Sequence, residues 1–201
     1  ANWTSPYPLR SGDGSNPLVL LQSSKGLQAV DPVSGSRVWA YTEGASTSSS
    51  GVVCGGKVYL PSSGITALAP PPSGGTPEQL WRSRQTSPAT ISPLILGDRL
   101  YSINGAGILA VIDIKDGGNQ WKLRLTGPFS ASPVAAGARL LAVNEKGLVQ
   151  VVDTAAPQGA LLGQLQLSLK TENKELVLST PSISGKHVFV RSDSTLWRLG
   201  N

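Results

Sequence analysis

Methionine is absent from the 201-residue chain. Ala1 is therefore not an initiator, which leaves a leader removed ahead of it or a place inside a longer polypeptide. A small residue at that point suits removal of an export signal, and an exported protein, periplasmic or extracellular, is expected. Cysteine and histidine occur once each. Cys54 has no partner for an internal disulfide, and its place in the apolar run GVVCGG is that of a small buried hydrophobe. His187, in KHVFVR, alternates with Val188 and Val190 as a packed strand residue does, and no Cys and His pair has the spacing of a zinc site. No stretch approaches the ~20 continuous apolar residues of a membrane helix. The net charge is +5. Yet no five like charges stand together, and basic residues do not interleave with aromatics, which argues against nucleic acid as a partner. No glycine-rich loop precedes a helical pattern to cradle phosphate. The residues lead us to expect no catalytic group, no metal site and no cofactor.

What the chain has in quantity is glycine, 23 residues, and proline, 15, and these punctuate a repeat. Gly107 to Trp121, GILAVIDIKDGGNQW, reads as a buried strand, a tight turn and the start of a returning strand. Gly26 to Trp39, GLQAVDPVSGSRVW, says the same thing, with Asp and Trp eight residues apart in both. An Asp ahead of a turn accepts hydrogen bonds from backbone N–H groups just beyond it, and glycine supplies the positive φ that closes the hairpin. Residues 64–81 keep the strand and Trp81, with a turn swollen by prolines. Residues 147–153 keep the strand and Asp153, with aliphatics near Leu161 and Leu162 in place of the Trp. Residues 195–199 keep the strand alone.

A second phrase precedes each copy: a small residue, often Pro, apolar residues, a Gly, then an apolar strand. Its glycines, Gly56, Gly97, Gly137 and Gly185, are 41, 40 and 48 residues apart. Four short strands, A to D, per unit of ~40 to 45 residues is the arithmetic of a propeller blade. An all-β fold is expected: one β-propeller domain over 1–201, with antiparallel four-stranded blades at about 5–43, 50–84, 92–125, 132–168 and 180–199. Trp3 stands alone before Ser5-Pro6, and the last copy lacks strand D. The expectation is thus that residues 1–4 complete the fifth blade and close the ring, leaving no free sheet edge. Trp3, Trp39, Trp81 and Trp121, with Asp31, Asp113 and Asp153, are read as structural repeat residues.

The phrase G-x-L-x-A-x-D-x-x-[ST]-G-x-x-x-W resembles the repeat of the pyrroloquinoline-quinone-type propellers. That family includes quinoprotein dehydrogenases and the propeller lipoprotein of the bacterial outer-membrane barrel-assembly machinery. Gly26 to Trp39 match it nearly in full, Gly107 to Trp121 with one inserted residue, and the ending SGKHVFVRSDSTLWRLGN is similar to a final blade of such bacterial proteins. The resemblance covers essentially the whole chain. It implies the propeller fold, usually of seven or eight blades. For the dehydrogenases it also implies a Ca²⁺ site of Glu, Asn and Asp, a catalytic Asp and often a disulfide of adjacent cysteines, for which this sequence offers no matching positions.

Two functions remain. The first is a non-catalytic, exported binding scaffold whose loops meet a protein partner or larger complex, or an anionic glycan or lipid headgroup. The second is a fragment of a quinoprotein dehydrogenase or cofactor-binding propeller. For the scaffold, the face carrying the B–C and D–A turns is the candidate, because blades vary most there. It gathers Lys25, Arg84, Asn104, Asn144, Glu145, Lys146, Asp193 and the loop 170–175, where a short helical turn could form.

Overall fold

Short β-branched runs separated by glycine turns can satisfy their backbone groups only by pairing with one another. In a computed structural model of the chain, which describes residues 1–10, 17–72, 74–170, 172 and 174–200, they do so as five antiparallel sheets. The first holds β1 (Tyr7–Leu9), β2 (Leu18–Ser23), β3 (Gly26–Val30) and β4 (Arg37–Tyr41). The second holds β5 (Val52–Cys54), β6 (Lys57–Ser62), β7 (Gly64–Ala69) and β8 (Glu78–Ser83). The third holds β9 (Leu94–Leu96), β10 (Arg99–Ile103), β11 (Ile108–Asp113) and β12 (Asn119–Arg124). The fourth holds β13 (Val134–Ala136), β14 (Arg139–Val143), β15 (Leu148–Asp153) and β16 (Ala160–Gln166). Each is a meander in chain order, so the expected blades are present. The fifth has three strands, β17 (Ser182–Ser184), β18 (His187–Arg191) and β19 (Leu196–Leu199).

The fourth strand expected from residues 1–4 is not formed. Asn2 gives its side-chain amide to the Gln22 carbonyl at 2.6 Å, and the Trp3 N–H goes to the Thr47 carbonyl at 2.7 Å. Those bonds hold the first residues over the loop joining blades 1 and 2. Trp3 lies there 75% exposed rather than between blades.

The Asp residues do hold the C–D hairpins. Asp31 Oδ1 accepts from the N–H groups of Val33 and Ser34 at 2.7 and 3.0 Å, Asp113 Oδ1 from Lys115 at 2.8 Å and Asp153 Oδ1 from Ala155 at 2.9 Å. In all four complete blades a bulge interrupts the C–D ladder at one place, after Ala29, Ala67, Val111 and Val151. A bulge re-aims the side chains beside it. Opposite those four residues stand Trp39, Trp81, Trp121 and Gly163. The residue in the tryptophan position of blade 4 is therefore a glycine, whereas Leu161 and Leu162 are exposed.

Apolar clusters fill the seams between successive blades. Leu20, Trp39, Val58 and Leu68 join blades 1 and 2. Tyr59, Ile65, Leu100 and Ile112 join blades 2 and 3, with Trp81 packed against them. Tyr101, Val111, Trp121, Leu140 and Val152 join blades 3 and 4, and Val143, Val149, Leu167, Val177 and Val190 join blades 4 and 5. Two of the indoles rest on glycines of the next blade's C–D hairpin. A Cβ at Gly117 would stand 2.6 Å from the Trp81 ring, and one at Gly159 2.5 Å from the Trp121 ring. A ladder of hydroxyls links the inner ends: the N–H groups of Ser5, Ser50, Ser92 and Ser132 donate to the hydroxyls of Ser50, Ser92, Ser132 and Thr180, each on the next blade.

Candidate protein-binding site

The B–C turns and D–A loops meet on one face and are bonded to each other there, most extensively at blades 4 and 5. The segment Glu175–Leu178 alternates across that junction. Val177 is buried and donates its N–H to the Glu145 carbonyl at 3.0 Å, which turns Leu176 and Leu178 outward to solvent. Glu175 is buried. Its carboxylate accepts from the Ser192 hydroxyl, the Lys170 N–H at 2.6 Å and the hydroxyl and N–H of Ser194 at 2.7 and 3.1 Å. These donors, Ser192 foremost, hold its pKa down from 4.5 to about 2, so the group is an anchored anion at neutral pH. It ties the 4–5 loop to the B–C turn of blade 5.

Beside this anchor lies a crevice of about 470 Å³, floored by Leu167, Leu169 and Leu176 and bordered by Lys146, Lys174 and Glu175. A smaller cavity of about 230 Å³ adjoins it at Leu176, Leu178, Arg191 and Asp193. Apolar floor and cationic rim together suit a peptide segment carrying apolar and acidic side chains.

Of the residues the sequence singles out, Lys146 and Asp193 are brought together here. Lys25 is exposed on the B–C turn of blade 1, and Arg84 is exposed on the loop from blade 2 to blade 3. Asn144 is 2% exposed and cannot meet a partner directly. Its Oδ1 accepts from Lys146 and Leu148 at 3.0 and 2.9 Å, while its amide donates to the Thr126 carbonyl at 3.0 Å. Asn104 closes the equivalent turn of blade 3 through Ala106 and Ile108. These asparagines shape the loop tips as caps of the Asx type. Glu145 accepts from the Ser130 hydroxyl at 2.6 Å and likewise braces the face. Of the loop 170–175, Thr171 and Asn173 lie outside the described residues. Sequence reasoning missed the leucines at 167, 169, 176 and 178. Their signal was the alternation of leucines in LSL, 167–169, and LVL, 176–178, with no charged residue among them.

A protein-family model described as "Outer membrane protein assembly factor BamB" matches residues 61–161. The chain belongs to this family. Among solved structures, BamB from Moraxella catarrhalis superposes with a TM-score of 0.75 at 20% identity, over 98% of this chain and 57% of that one. This chain thus spans a little over half the length of that BamB. A computationally designed protein, Ika8, matches with a TM-score of 0.58 at 12% identity, over 92% of this chain and 69% of its own. No curated protein matches the chain.

For this BamB-family propeller the quinoprotein chemistry implied by the wider repeat family can be tested on the side chains present. Among the described residues no three of His, Cys, Asp or Glu gather as a metal site requires, and Cys54 is a lone thiol. His187 stands beside Phe189 on β18, ring centres 6.3 Å apart. Among the described residues, therefore, no set of acidic side chains fits the Ca²⁺ site of a quinoprotein.

Proposed function

We propose that this protein is a non-catalytic, exported scaffold, that it takes part in outer-membrane protein assembly, a reading its family's description supports, and that it docks a protein segment at the loop-face crevice between blades 4 and 5. The observation carrying this reading is the crevice itself. Three leucines floor an open cavity rimmed by Lys146 and Lys174, on a loop anchored by the buried Glu175. Anchoring matters because a preordered loop loses less conformational entropy when a partner binds. A protein partner suits that arrangement better than a glycan, which would call for flat, hydroxyl-matching surfaces, or a lipid headgroup, which would not use the apolar floor.

Binding to the purified barrel-assembly machinery, followed by biolayer interferometry, tests the proposal. Lys146→Glu and Leu176→Ser should each weaken association. Lys115→Glu, in the C–D hairpin of blade 3 on the other face, should leave it unchanged. Equal losses from all three, or none from the first two, would move the contact off this crevice.

A further inference from the structure

The seam between blades 4 and 5 differs from the seams before it at one position. In blades 1, 2 and 3 the residue opposite the bulge is a tryptophan whose indole packs toward the next blade: Trp39 and Trp121 are buried, and Trp81 is partly so, with its Nε1–H donating to the Ile114 carbonyl of blade 3 at 3.1 Å. In blade 4 that position is Gly163, opposite Val151. A Cβ built there meets nothing within 4 Å. The space an indole would take is a slot of about 320 Å³, lined from blade 4 by Leu141, Val151 and Leu165 and from blade 5 by Val188 and Leu199, with Lys186 among its walls. Its walls are those of a blade seam, apolar and strand-borne, but its filling is missing.

We propose that this slot is a binding site for an aromatic side chain, an indole in the first instance, presented by a protein partner. The occupant is argued from the molecule itself. Three seams built on the same register each take an indole at this point, and the slot continues the apolar seam that Val149, Val188 and Leu199 already form. Volume agrees as well, since ~300 Å³ is the lower end of the range for small-ligand pockets. Aromatic anchors seated in preformed apolar pockets are a common source of affinity between proteins. The inference rests on the scaffold reading for the source of the side chain, but the slot lies on strands, apart from the loop-face crevice.

N-acetyl-tryptophanamide serves as the probe, titrated into the ¹⁵N-labelled protein. Saturable amide shifts confined to Val151, Gly163, Leu165, Val188 and Leu199 are expected. Gly163→Trp should supply the missing indole in cis, raising Tm by about 3 °C or more and abolishing those shifts. Gly163→Lys should abolish the shifts without raising Tm. Absence of saturable shifts in the parent, a lowered Tm in Gly163→Trp, or unchanged probe binding in either variant would overturn the proposal. Binding of the barrel-assembly machinery separates the two readings. If that binding survives Gly163→Trp but falls with Lys146→Glu, the scaffold reading stands and the slot's assignment to this partner fails. If the probe binds while the machinery does not, the scaffold reading fails and the slot stands.

Discussion

Trp121 and Glu175 show how much one side chain carries in this fold. Trp121 is 6% exposed and sits edge-on to Tyr101, ring centres 6.1 Å apart, inside the seam of blades 3 and 4. Truncating a large buried aromatic leaves a cavity that the surrounding strands cannot close, so Trp121→Ala should cost about 3 to 5 kcal/mol of unfolding free energy. A urea titration with a loss under about 1 kcal/mol would place the side chain outside the core. Glu175 acts through charge. Its folded pKa, about 2, lies below its ordinary value of 4.5, so the folded state favours the carboxylate. Its contribution to stability is full above the unfolded value and is lost as pH falls from there toward about 2. The urea midpoint of the parent should therefore drop on acidification through that window more steeply than that of Glu175→Gln. Parallel curves would assign the acid sensitivity to other carboxylates.

At the scale of the element, the C–D hairpin is both the most legible feature in the sequence and the one whose packing can be dissected. Gly159 and Gly35 occupy hairpins of blades 4 and 1 with φ of 67° and 70°. A methyl at Gly159 would strike the Trp121 ring, whereas one at Gly35 would meet nothing within 4 Å. Gly35→Ala should show the backbone strain alone, on the order of 1 kcal/mol. Gly159→Ala should add an overpacking cost of about 1 to 3 kcal/mol, and equal losses would mean that the indole does not press on the hairpin. The Asp and Trp spacing located these hairpins because both residues act locally, within one turn and its bulge. The role of the Ser and Thr before each inner strand was not legible, since each accepts from a backbone N–H some 40 residues earlier. Gly51 was likewise opaque. It replaces the proline of the other copies where a side chain would collide with the Tyr7 hydroxyl of blade 1. Trp3 misled because an isolated tryptophan before Ser-Pro carries no register, and only its bond to Thr47 places it on the loop. In blade 4, Leu161 and Leu162 seemed the aliphatic substitutes for Trp. The hairpin after Asp153 is longer by two residues than those after Asp31 and Asp113, so the eight-residue spacing lands on Leu161 and Gly163 takes the tryptophan's place.

Across the whole molecule, the rigid seams position a loop face whose chemistry divides into two kinds. Lys146 and Lys174 are exposed cations at the rim of the crevice, while Leu176 and Leu178 offer apolar surface beside it. Exposed charges act on an approaching partner over a Debye length of ~8 to 10 Å and are screened by salt. They influence encounter, whereas buried apolar contact resists separation. The two kinds of residue should therefore separate kinetically against the barrel-assembly machinery. Lys146→Glu should lower the association rate constant and flatten its dependence on ionic strength, with dissociation little changed. Leu176→Ala should leave association near the parent value and raise the dissociation rate roughly tenfold, equivalent to about 1.4 kcal/mol. Because Ser194 donates to the Glu175 carboxylate that holds the loop carrying Leu176, Ser194→Ala should also raise the dissociation rate, by letting the leucines leave their ordered positions. If Lys146→Glu altered dissociation as strongly as Leu176→Ala, the lysine would lie inside the contact rather than at its rim.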